Sequence, residues 1–236
     1  MLADLGPVTA STIGDGSSPD RRHPGIHLYG SALDGRDVIR HQGLLITAAV
    51  RTVLDCARTL PRRPAVAVAD AAAHRNHLPE AEVLRVLSQM RGWKGVGRSR
   101  EVLKVLDPGC ESPGETFTRL LLQDLGYRVQ SQFEVHDGGS LAGRADFRIV
   151  GEMVLVEFDG RHKYGLAPDS APDALWREKR RHDALVQAGF EVVRLTWADL
   201  ADSQLVKRMI DSGRTRSALR HGWLRPRCGD EVENWG

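Results

Sequence analysis

Residues 144–160, RADFRIVGEMVLVEFDG, hold two apolar-rich runs separated by Gly151-Glu152. Arg144 to Val150 predicts one strand, Gly151-Glu152 a tight turn and Met153 to Asp159 a second strand. The second run opens with four consecutive apolar residues, Met153 to Val156, as in a central strand covered on both faces, and ends in Glu157-Phe158-Asp159. Side chains alternate along a strand, so Glu157 and Asp159 share one face. On the first strand the same rule groups Ala145, Phe147 and Ile149 against Arg144, Asp146 and Arg148. Pairing through Gly151-Glu152 brings Asp146 and Glu157 together. Carboxylates crowded beside a buried strand repel one another unless a cation neutralises them. A hard divalent cation such as magnesium does this, and it also polarises phosphate oxygens and activates water.

The flanking sequence sets the frame. Ser112-Pro113-Gly114-Glu115 is a helix start, with Ser112 as cap, Pro113 in the first turn and Glu115 three residues after the cap. Phe117, Leu120, Leu121 and Leu125 form an apolar stripe, and Gly126 stops the helix. A strand is expected from Tyr127 to Val135, a hairpin turn at His136 to Gly139, a basic helix from Ala174 to Ala188 and a last strand from Glu191 to Thr196. The order helix, three-strand meander, helix, strand predicts an α/β domain whose mixed sheet is flanked by helices.

Ahead of it, residues 1–25 are rich in Gly, Ser, Pro and Asp and read as a flexible lead-in. Two short strands are expected between Ile26 and Thr47, broken by Gly30 and Gly35. Helices follow at 48–60, capped by Thr47, and at 65–75, 79–90 and 99–106. Asp107-Pro108-Gly109 then breaks the chain. The expected organisation is a mostly helical region over 1–106, a second domain over 107–200 and a basic helical tail over 201–236.

With 236 residues, 41% hydrophobic and 27% charged, the chain is not a disordered one. No apolar run approaches the roughly 20 residues that span a bilayer, and the amino terminus has no signal-like pattern, so no membrane partner and a cytoplasmic location are expected. Cys56, Cys110 and Cys228 are odd in number and far apart, which argues against a disulfide framework or a zinc site. His74 and His77 are spaced for a metal but have no third ligand nearby. Basic residues exceed acidic ones between Trp176 and Arg225, and Lys179, Arg180 and Arg181 read equally as a solvated or a phosphate-binding face.

Glu115, Asp146 in Arg144-Ala145-Asp146-Phe147, Val156-Glu157-Phe158-Asp159-Gly160, and Arg194-Leu195-Thr196-Trp197 after a basic helix together resemble the PD-(D/E)XK nuclease superfamily. The nearest resemblance is to an endonuclease-like family of unknown function related to very short patch repair endonucleases, over about Glu111 to Leu200. It implies a restriction-endonuclease-like fold and magnesium- or manganese-dependent hydrolysis of DNA. Asp146 and Glu157 would be metal ligands, Glu115 an accessory one, and Asp159 a further candidate. The superfamily places a lysine two residues after that Glu to position the attacking water; here the position holds Asp159. Lys179, Lys163 and His162 are the candidate replacements, in that order. Arg177, Arg180 and Arg181, with Arg144, are the candidate nucleic-acid contacts.

Residues 26–106 resemble the middle portion of actinobacterial proteins that join an antitoxin-like, AbiE-type regulatory region to such a domain. That implies a protein partner through the amino-terminal region. It also keeps open a non-catalytic, antitoxin-like DNA-binding or regulatory role on a degenerate nuclease fold. The bland readings are a capping box for Glu115, an edge-strand charge for Asp146 and a turn acid for Asp159.

Overall fold

The computed structural model describes residues 8–12, 21–23, 26–160 and 172–222. The helix α5 (Pro113–Asp124) starts where Ser112 Oγ accepts the Glu115 N–H at 3.2 Å. It ends at Gly126, whose φ of +88° suits a residue without a side chain. Four strands follow the predicted order: β6 (Val129–Asp137), β7 (Ser140–Ile149), β8 (Val154–Asp159) and, after α6 (Pro172–Gln187), β9 (Glu191–Thr196). They form one sheet in the order β6-β7-β8-β9, antiparallel except for the parallel β8–β9 pair that the α6 crossover permits. The helix α7 (Ser203–His221) closes the domain.

β8 is buried on both faces, as its apolar run requires. Val154 and Val156 pack with Phe147, Ile149, Leu121 and Leu122, and with Val206 and Ile210 of α7. Leu155 packs on the other face with Leu185 of α6, Val135 and Ala145. Ala145 therefore does not share a face with Phe147 and Ile149, as uninterrupted alternation predicted. The neighbouring strand changes in step: Val129 lies with the first cluster, Phe133 and Val135 with the second. Both strands switch faces where Gln132, at φ +51°, stands across from Asp146.

The amino-terminal region holds more strand than expected. β1 (Val8–Thr12) and β2 (Arg21–His23) fall inside the stretch read as a flexible lead-in, and both pair with β3 (Ile26–Gly30). A β4 (Val38–His41) and β5 (Leu44–Thr47) hairpin follows, so residues 26–47 carry three strands rather than two. β1 pairs with β3 across 18 positions, a partner invisible in local composition, whereas β2 with β3 and β4 with β5 are local antiparallel pairs. The four helices are α1 (Ala49–Thr59), α2 (Arg62–His74), α3 (Glu80–Gln89) and α4 (Val96–Lys104). Thr47 does not cap α1: its hydroxyl bonds Thr52 Oγ1 at 2.6 Å, and Ala48 takes the cap position.

The break at Asp107-Pro108-Gly109 is a corner between packed elements. Asp70 of α2 is fully buried and accepts three hydrogen bonds: from Asp107 N (2.7 Å), Thr116 Oγ1 (2.7 Å) and Arg119 Nη2 (2.9 Å). Leu120, on the same side of α5, lies in a cluster with Val53, Ala65, Val66 and Val102. α5 is thus held between the sheet and the amino-terminal helices.

Candidate functional site

The β7–β8 ladder runs through Arg148–Leu155 and Phe147–Val156. At the next position Asp146 Oδ2 accepts the Phe158 N–H at 2.7 Å, so a carboxylate takes the place of a ladder carbonyl. Burial pushes the Asp146 carboxyl up to about 6, the Phe158 N–H opposes this, and the negative charges of Glu115 and Glu157 add to the rise against a smaller pull from Arg181. Asp146 therefore sits among like charges that the protein only partly neutralises.

Glu157, 7% exposed, meets Arg181 Nη1 through Oε1 at 2.6 Å and Arg194 Nε through Oε2 at 3.2 Å. Parallel pairing of β8 with β9 sets Glu157 beside Arg194, and α6 lies across this face to deliver Arg181. Glu178 ties the two guanidiniums together, accepting from Arg181 Nη2 (2.9 Å) and Arg194 Nη2 (2.6 Å). A carboxylate left buried at the end of an apolar strand requires such partners. That signal was readable in the sequence; which cations would answer it was not.

Glu115 completes the group from α5. Its Oε1 accepts from Ser112 Oγ at 2.7 Å, and its Oε2 from Glu111 N at 2.9 Å and Gln132 Nε2 at 3.2 Å. Ser112 caps the helix, but the Glu115 carboxylate accepts from Glu111 N and Ser112 Oγ rather than from the Ser112 N–H, so the expected capping box is only half formed. Gly114 allows the approach: a Cβ there would lie 1.9 Å from the Phe158 ring, which also meets Trp197 edge-on at 5.0 Å between centroids. We expect Gly114→Ala to destabilise the fold by about 1–3 kcal/mol, as overpacking does, measured by urea melts.

Other candidates fall elsewhere. Lys179 is exposed, its Nζ 5.6 Å from the Trp176 ring centroid, and does not face Glu157. Arg181 does, because two residues along a helix point about 200° apart. Arg181 is therefore committed to carboxylates, while Arg177 and Arg180 lie exposed on α6. Arg144 is exposed and pairs with Glu111 at 3.1 Å. Asp159 is half-buried, on the strand parity of Glu157 and in register with Thr196. Lys163 and His162 lie outside the described residues. His74 Nδ1 meets the Pro108 carbonyl at 3.0 Å. Sequence reasoning missed Gln132, Arg181 as the partner of Glu157, and Asp70.

Among the described residues no set of three or more His, Cys, Asp or Glu side chains is placed to hold a metal ion. Magnesium is commonly held by one or two carboxylates and several waters, so the donor chemistry of Asp146 with Glu157 fits it.

The Asp146 carboxyl also sets a pH dependence. Because its folded value lies above the ordinary 3.8, the folded state binds more protons between about pH 4 and 6, and stability falls as pH rises through that window. In chelator, Asp146→Asn should match the parent near pH 4 and exceed it at pH 7.5 by on the order of 2 kcal/mol. Chemical melts at both pH values check this; a variant less stable than the parent at pH 7.5 would contradict it.

No family model matches the chain, and no solved structure matches it. Two uncharacterized proteins, from two strains of Mycobacterium tuberculosis, are each 27% identical over 181 residues, covering 76% of this chain and 65% of theirs. The match thus spans a little under two thirds of the relatives' length. Among the described residues no helix is long and apolar enough to cross a membrane.

Proposed function

We propose that this chain is a magnesium- or manganese-dependent endonuclease that hydrolyses DNA phosphodiester bonds on a PD-(D/E)XK-like domain. One observation carries the reading: where β7 and β8 part, Asp146 bridges the strands while facing Glu115 and Glu157, three carboxylates from three elements at one sheet end. Asp146 and Glu157 would hold the ion, which when bound supplies charge for a phosphate oxygen and a more acidic water. Glu115, fixed by three donors, keeps negative charge next to Asp146. Arg181 and Arg194 neutralise Glu157, and guanidiniums so placed bind phosphate as readily as carboxylate. Arg177, Lys179 and Arg180 are exposed on α6 and offer nonspecific backbone affinity. The reading is of a cytoplasmic enzyme. Its amino-terminal region, whose β4–β5 hairpin exposes Leu44 and Leu45, would meet a protein partner.

The second reading is an antitoxin-like DNA-binding or regulatory protein without turnover. It is favoured by the engagement of both Glu157 oxygens with arginine. Supercoiled plasmid incubated with magnesium, manganese or chelator separates the two. Nicking that needs the divalent ion is expected; a gel shift with no nicking under any condition would replace the first reading by the second.

A further inference from the structure

Among the described residues three non-glycine residues have a left-handed backbone: Gln42, Asn76 and Gln132. Gln42 lies in the β4–β5 turn and Asn76 just past the end of α2, where such geometry is ordinary. Gln132 alone lies inside a strand. For a side chain of this kind the conformation is unfavourable and persists only where the surroundings impose it.

The surroundings do so from both sides. Ser131 pairs with Phe147 and Phe133 with Ala145, which leaves Gln132 across from Asp146 at the point where both strands change face. Ser131 Oγ bonds Asp107 Oδ2, and Asp107 N bonds the buried Asp70, so the residue before Gln132 is tied to the amino-terminal helices. The backbone turn of Gln132 accompanies a single side-chain hydrogen bond, from its Nε2 to Glu115 Oε2 at 3.2 Å. Glu115 is one of the two carboxylates that crowd Asp146.

We infer that Gln132 is a positioning residue of the carboxylate site, holding the Glu115 side chain toward Asp146. The inference rests on the metal-site reading proposed above. A residue that orients a ligand group typically changes metal affinity by 10- to 100-fold when removed.

Gln132→Gly separates the site role from a folding role, because glycine adopts positive φ freely, so the backbone turn is kept while the amide donor to Glu115 is lost. Manganese titration by calorimetry and a thermal melt in chelator would be run on the full chain, for the parent and Gln132→Gly. The expected result is a manganese Kd raised about tenfold or more with a melting temperature equal to or above that of the parent. Equal manganese affinity in both proteins would overturn the inference while leaving the metal site standing. A variant that loses affinity and also melts well below the parent would make Gln132 a folding residue and overturn it as well. A parent that binds no manganese would sink the metal-site reading, and this inference with it.

Discussion

Glu157→Gln should lose divalent-dependent nicking by about 100-fold or more while retaining DNA binding and a cooperative melt. The size follows from the position: a group that stabilises charge developing in the transition state is worth roughly 3 kcal/mol, and only in the reaction. Glutamine keeps the volume and one oxygen for Arg181 or Arg194, both of which remain paired with Glu178. Glu157→Ala is the harsher variant, since it strips both guanidiniums of a buried partner. Nicking and gel shift would be measured on the same preparations. Equal nicking by parent and Glu157→Gln would assign the cleavage to another site or to a contaminant.

The second large effect concerns the amino-terminal helices. Asp70→Ala leaves the Arg119 guanidinium, 3% exposed, with Cys110 Sγ at 3.3 Å and a distant Asp107 carboxylate at 3.6 Å. Breaking a buried pair by removing one partner costs about 3–5 kcal/mol, a large part of the 5–15 kcal/mol that holds a typical domain together. For a chain of this length that is a fall in Tm of roughly 6–20 °C. A fragment over residues 107–236 goes further, because it also uncovers Leu120 and Thr116 on the side of α5 that α2 covers. It is expected to lack a cooperative transition. Thermal melts by circular dichroism on Asp70→Ala and on the fragment test this. A fragment melting within a few degrees of the full chain would show the two regions to be energetically independent.

These two expectations differ in how far the sequence alone reaches them. Glu157 stands out because a charge ends a run of four apolar residues, a local signal. Asp70 does not, since an acid in an alanine-rich helix reads as a solvated one until Thr116 and Arg119, 46 and 49 positions away, are seen against it. The same separation explains the choice between cations on α6. Spacing shows that Lys179 and Arg181 lie on different sides of the helix, but only the packing of α6 against β7 and β9 decides which side meets Glu157.

What the sequence determined by itself is the succession of elements from α5 to β9. Their signals are local: a Ser-Pro helix start, a Gly stop, hairpin turns at Gly138-Gly139 and Gly151-Glu152, and an uninterrupted apolar strand. Each is set by the conformational preferences of a few adjacent residues, so a linear reading captures it. Tertiary structure alone decided the left-handed turn of Gln132, the joint change of face in β6 and β7, the arginine clamp on Glu157 and the union of α2 with α5. Every one of these joins residues far apart in sequence, and in each the gain from satisfying a buried charge or filling a core overrides the local preference.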